Sequence, residues 1–390
     1  MNNRIEQLDS IRGLAALVVV FNHLPLVLLT LPPVAIYLIR YLGIDNGHSS
    51  VMLFFVLSGF VLSLPFLKHR KITFLPYLVK RVFRIYNPYI FAITVAIVLS
   101  QIFMDDEVEL VKDWDMLWST PITVKLILEH IYFLGNIHSN TFNGVIWSLI
   151  HELRISIIFP FIVLFIRRYN WKISIFTCFG LSSIAGINNI FELQVSNGYN
   201  VTYFATIHYT SLFILGGVLA KYKKEIISFF KKLHISIKCT FLISSYLIYN
   251  LGEIIIHSLH RITNINILST YFYIFVEYLI ALGSIGLIIS ALGSIRIGKF
   301  LLIKPILLLG KISYSLYLYH LPVILVTIYL FHRIFPLWII CLVGFFLSIV
   351  ISTVAWRLIE TPTIKYGRIV ASKISERKRL KESKSVKNTA

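Results

Sequence analysis

The chain of 390 residues is 57% hydrophobic and only 14% charged, with a mean hydropathy of +0.78. That balance excludes an ordinary soluble domain and a disordered chain and points to a polytopic membrane protein. A net charge of +19 would suit a nucleic-acid partner, but the distribution of the cations assigns them to a membrane surface.

The apolar runs are long, unalternated and rich in Leu, Ile and Phe. A β-barrel would instead alternate polar and apolar residues in segments of ~10. The fold class read from the sequence is therefore all-α, with one span per ~20 apolar residues. Ten spans are predicted, over 11–31, 51–67, 86–104, 145–167, 173–190, 203–220, 237–256, 271–292, 310–331 and 336–358. The first has no A-x-A cleavage site behind it and is read as a retained span. If both termini are cytosolic, 29 of the 37 Lys and Arg residues fall in inner segments. The outer segments then hold only Arg40, Lys112, Lys125, Arg261 and Arg333, which satisfies the positive-inside rule at every loop. Residues 1–364 form the membrane domain and 365–390 a basic cytosolic tail, expected to be disordered beside anionic lipid. The acidic stretch 104–115 is read as a solvated outer loop. Cys178, Cys239 and Cys341 are dispersed, with no metal or disulfide spacing.

Candidate site residues appear in chain order. Arg12 opens span 1 and His23 lies eleven residues on, about 16 Å along the axis and within about 20° of the same helix face. Two such costly groups require a protein cavity, and a histidine there suits proton transfer; a packed histidine bonded to backbone is the competing reading. In "YLVKRVFRIY" the cations Lys80, Arg81 and Arg84 stand at the inner start of span 3. The two arginines, three apart, are placed to fork a phosphate, unless they serve orientation alone. Span 4, "WSLIHELRIS", brings Trp147, Ser148 and Glu152 toward an outer cavity, with a Glu152–Arg154 pair or an interhelical ion pair as the alternative. Trp147 is read as an interface anchor or a surface for stacking sugar. Span 9 places Ser313, Tyr317 and His320 at helical spacing, either as site groups or as packing contacts.

Taken in order, "LDSIRGLAALVVVFNH", "LFFVLSGFVLS", R-x-x-R-I-Y at 81–86, "WSLIHE", "ISYSLYLYHLPV" and "IETP" at 359–362 resemble the acyltransferase-3 family of integral membrane proteins. The resemblance covers roughly residues 5–365. It departs at Asn87, where members often carry proline. It implies an O-acyltransferase of a bacterial cytoplasmic (inner) membrane that takes acyl-CoA, commonly acetyl-CoA, from the cytosol. The acceptor is implied to be a hydroxyl of a cell-surface or lipid-linked glycan, with neither a nucleic-acid partner nor a metal. His23, Arg12 and Glu152 would be catalytic, with Glu152 orienting the His23 imidazole. Arg81, Arg84 and Lys80 would hold the donor, and Trp147, Ser148, Tyr317 and His320 the acceptor. A transporter or flippase of a glycan or small polar solute is the alternative; it would be favoured by inverted repeats or broken helices, and neither is evident.

Overall fold

A computed structural model describes residues 5–24, 34, 38–39, 41–68, 73–103, 118–263, 267 and 270–388, with side chains outside this description at 379 and from 381 onward. The regular structure among the described residues is helical, with no strand. In chain order the helices are α1 Glu6–Asn22, α2 Gly47–Lys68, α3 Phe74–Phe103, α4 Val124–Tyr132, α5 Trp147–Arg168, α6 Trp171–Phe191, α7 Tyr203–Lys232, α8 Ile235–Thr263, α9 Phe272–Gly293, α10 Ile295–Leu301, α11 Lys304–Phe331, α12 Leu337–Ala355 and α13 Thr361–Asn388. A π-helical turn, Trp356–Glu360, joins the last two. Nine helices among the described residues are long and apolar enough to cross a membrane, and they match the second to tenth expected spans. The first expected span, 11–31, is described only as far as residue 24, as are Arg40, Lys112 and the 104–115 loop not at all.

Local chemistry sets several helix starts. The Asn170 side chain accepts from Ile173 N at 3.0 Å to cap α6, and Thr202 does the same for Ala205 N at 3.0 Å to open α7. Two boundaries differ from expectation. α3 begins at Phe74 rather than near 86, because the "YLVKRVFRIY" stretch has no breaker after Pro76 and Pro is tolerated in a first turn. Arg81 and Arg84 thus stand inside a helix, not beside one. The basic tail, expected to be disordered, is helical from Thr361 to Asn388, and Tyr366 and Gly367 at its start pack on Phe83 of α3.

Packing places α11 at the centre, in contact with α1, α3 and α12, while α2 lies between α1 and α7. With no hydrophobic force between helices in lipid, small residues and close backbones supply the contact. A Cβ on Gly13 would collide with the backbone of Leu309 and Gly310, and one on Gly310 with Asp9. Gly59 and Gly216 bring α2 and α7 equally close. Outward-facing Phe176, Phe161 and Tyr273 remain exposed, as a lipid-facing surface would have them.

Candidate active site

A cleft with an empty volume of about 700 Å³, solvent at its mouth included, opens among α1, α2, α3, α5 and α11. Its lining begins with Asp9, Arg12, Arg84, Lys311 and Glu360 and ends at Phe54, Phe55, Ser148 and Tyr317. The charged mouth lies at the start of α1 and α11, and so at the end of the bundle where α5 closes with Arg167 and Arg168 and α7 with Lys231 and Lys232.

The two arginines of α3 have separate duties. Arg81 is buried, donates from Nη2 to Glu152 Oε1 at 2.7 Å and from Nε to Ser156 Oγ at 3.1 Å. Ser58 Oγ adds a longer contact of 3.4 Å to the same carboxylate oxygen. Arg81 therefore binds α3 to α5 and is not free to grip a ligand. Arg84, one turn further on, is exposed and lines the cleft, and neither it nor Lys311 has an ion-pair partner among the described residues. Arg12 stands 3.7 Å from Asp9 at the same mouth. Lys80 is exposed and is not part of the lining. The free cations facing the cleft are thus Arg84 and Lys311, beside Arg12.

At the inner end two hydroxyls meet. Tyr317 donates to Val145 O at 2.8 Å, so its oxygen accepts from Ser148 Oγ at 2.7 Å. His320 lies beyond Tyr317, with ring centroids 6.1 Å apart. His320 Nδ1 donates to Leu316 O at 2.9 Å, which leaves Nε2 to accept, and that atom is 3.3 Å from His23 Nδ1. His23 Nδ1 also lies 2.8 Å from Val19 O. These contacts put the His23 proton on Nδ1, and Nε2 has no partner among the described residues.

The expected residues are thus only partly gathered. Arg12, Glu152, Arg84, Ser148 and Tyr317 line one cleft. Both Arg12 and His23 face α11, the first beside Gly310 and Lys311 and the second against His320. His23 is the C-cap of α1 rather than a mid-helix group, and it reaches the cleft only across His320 and Tyr317. Glu152 does not orient His23, because Arg81 holds its carboxylate. The alternative expected for Glu152 is met in its interhelical form, by Arg81, and not by Arg154, whose guanidinium donates to the carbonyls of Leu134, Gly135, Val201 and Thr202. Trp147 is 7% exposed, stacked on His48 at 6.4 Å and 12°, so it offers no open face to a sugar.

Sequence reasoning passed over Glu360 and a second polar cluster, His48, His208 and Glu277. Glu360 is buried in the π turn, accepts from Ser315 Oγ at 2.6 Å and borders the cleft; π turns often mark functional sites. The available signal for Glu277 was one acid in the otherwise apolar run 272–293.

A bundle of membrane-length helices around a polar cleft with charged residues at its mouth defines a polytopic membrane protein. The chain belongs to the acyltransferase-3 family, whose model, described as an acyltransferase domain, matches residues 5–357. It is similar to the O-acetyltransferase OatA of Staphylococcus aureus strains NCTC 8325 / PS 47 and COL, 26% identical over 365 residues in each case. The match covers 86% of this chain and 55% of each relative, so the chain spans about half the length of the curated relatives it matches. No solved structure matches it significantly.

Proposed function

We propose that this protein is a membrane-embedded O-acyltransferase that moves an acyl group, acetyl by preference, from acyl-CoA to a hydroxyl of a cell-surface or lipid-linked glycan. The observation that carries the reading is the cleft itself. Cations at its mouth, Arg84 and Lys311 with Arg12, suit the phosphates of CoA, and the hydroxyl pair Ser148 and Tyr317 makes its inner end polar without charge. Family membership supplies the reaction class, and the relatives' name supplies the preference for acetyl.

In this reading the acceptor approaches from the His23 side. His23 Nε2 takes the hydroxyl proton while the oxygen attacks the thioester carbonyl. The C–O bond forms, the C–S bond breaks, and the CoA thiolate leaves with the electron pair and recovers the proton from the imidazolium. Both substrates are bound together, so no acyl group rests on the protein. The test supplies labelled acetyl-CoA to membranes holding wild type or His23→Ala and follows label into glycan. Loss of transfer by ~10²-fold or more, the usual scale for an acid–base group, is expected in a folded variant. Unchanged transfer overturns the role of His23, and label retained on His23 in the absence of acceptor overturns direct transfer.

A further inference from the structure

The end of the bundle away from the cationic mouth holds a cluster to which nothing above gives a task. Glu277, near the start of α9, is 4% exposed and sits between two imidazoles. His208 Nε2 of α7 is 2.7 Å from Oε2, and His48 Nε2 of α2 is 3.0 Å from Oε1. Tyr209 donates to Oε1 at 3.3 Å. A carboxylate buried in a membrane bundle is costly and needs this compensation.

The two histidines are not equivalent. His208 is buried and its other nitrogen, Nδ1, is 2.8 Å from Ser182 Oγ, which in turn lies 2.6 Å from Tyr278 Oη. Both of its nitrogens are committed, so it braces the carboxylate. His48 is in the first turn of α2, its side chain 32% exposed, with one ring face on Trp147. Nε2, 3.0 Å from the carboxylate, is the nitrogen placed to carry the proton, and Nδ1, which has no partner among the described residues, is then the one placed to accept. An imidazole oriented by a carboxylate with its second nitrogen open is built to meet a hydroxyl.

Its position ties it to the proposed acceptor side. Asn22, which precedes His23, donates to Asp45 O at 2.6 Å, and its side chain lies against Gly47, which precedes His48. His23 and His48 therefore flank one contact between the end of α1 and the start of α2. Exposed Asn22, half-buried Asn46 and, across Trp147, half-exposed Tyr199 surround them. Amides, a phenol and an imidazole suit a neutral ligand rich in hydroxyls.

We propose that His48, held by Glu277, is a binding subsite for a neutral oligosaccharide acceptor, one of whose hydroxyls bonds to Nδ1 while another stands at His23. This rests on the acyltransferase reading for its substrate but is tested without donor. Purified protein is treated with diethyl pyrocarbonate, and the modified histidines are located by mass spectrometry with and without chitopentaose, cellopentaose and maltopentaose. His48 should react, His208 should not, and at least one oligosaccharide should slow the His48 reaction fivefold or more. An unreactive His48, or protection by none of the three, overturns the subsite. In transfer assays with the protecting sugar, His48→Gln should raise its KM about tenfold and leave the KM for acetyl-CoA in place; an unmoved sugar KM overturns the proposal. Absence of acetyl-CoA turnover in wild type, with protection intact, would instead count against the acyltransferase reading alone.

Discussion

Arg81 and Arg84 are three residues apart and chemically identical, yet burial separates their roles. Arg81 spends its guanidinium on Glu152 and Ser156, whereas Arg84 faces the cleft, which it shares with Glu360, and makes no ion pair among the described residues. Arg81→Ala leaves a carboxylate, 20% exposed, without its cation. Breaking such a pair costs about 3 kcal/mol, so thermal unfolding in detergent should show a large loss of stability. Arg84→Ala should fold with an unchanged melting temperature and bind acetyl-CoA about tenfold more weakly, with a shallower salt dependence. Equal melting temperatures for the two variants would contradict this division. Spacing alone suggested a shared fork; what it lacked was Glu152, which stands 71 residues away in sequence.

At the scale of elements, the contact between α1 and α11 depends on Gly13 facing Gly310. Gly13→Val would press a branched side chain into backbone, which cannot yield as a side-chain tip does, and should cost about 3 kcal/mol or more. Gly180→Ala, where a Cβ meets open space within α6, is the control and should be neutral or stabilising by up to about 1 kcal/mol. A Gly13→Val protein as stable as the control would mean that the helices separate without penalty. Which segments become helices was legible, because spans need ~20 apolar residues and nothing else in the chain supplies them. The start of α3 was not, since amphipathic helix outside the apolar window carries no hydropathy signal. Arg12, Glu152, Ser148 and Tyr317 were legible as cleft residues because polar groups are rare in spans. Their partners were not, because pairing depends on which helices are neighbours. The stack of Trp147 on His48 and the embrace of Glu277 by two histidines join α2, α5, α7 and α9, and only the folded bundle shows them.

Taken as a whole, the molecule is polarised. Lys68, Arg167, Arg168, Lys231 and Lys232 end helices at one side, and the His48–Glu277 cluster lies at the other. We infer from the positive-inside rule that the cationic side faces the cytosol, which in the proposed function brings donor and acceptor in from opposite faces. In a chain stripped of its native cysteines, a thiol at Val195→Cys should react with an impermeant maleimide on intact cells, and one at Ser372→Cys only after permeabilisation. The reverse pattern would invert the whole arrangement and exchange the two substrates' sides.

The helical stretch Leu337–Lys378 runs for 42 residues, about 63 Å at 1.5 Å per residue, roughly twice the ~30 Å depth of the hydrocarbon. No tilt of ordinary size hides that excess. Its second half, fastened at its start by Tyr366 and Gly367 against Phe83, is more than the hydrocarbon needs, and it is studded with Lys365, Arg368, Lys373, Arg377 and Lys378. A polyanion drifting toward the mouth therefore meets attraction on one flank first, and traffic into the cleft is lopsided before any contact with Arg84 is made.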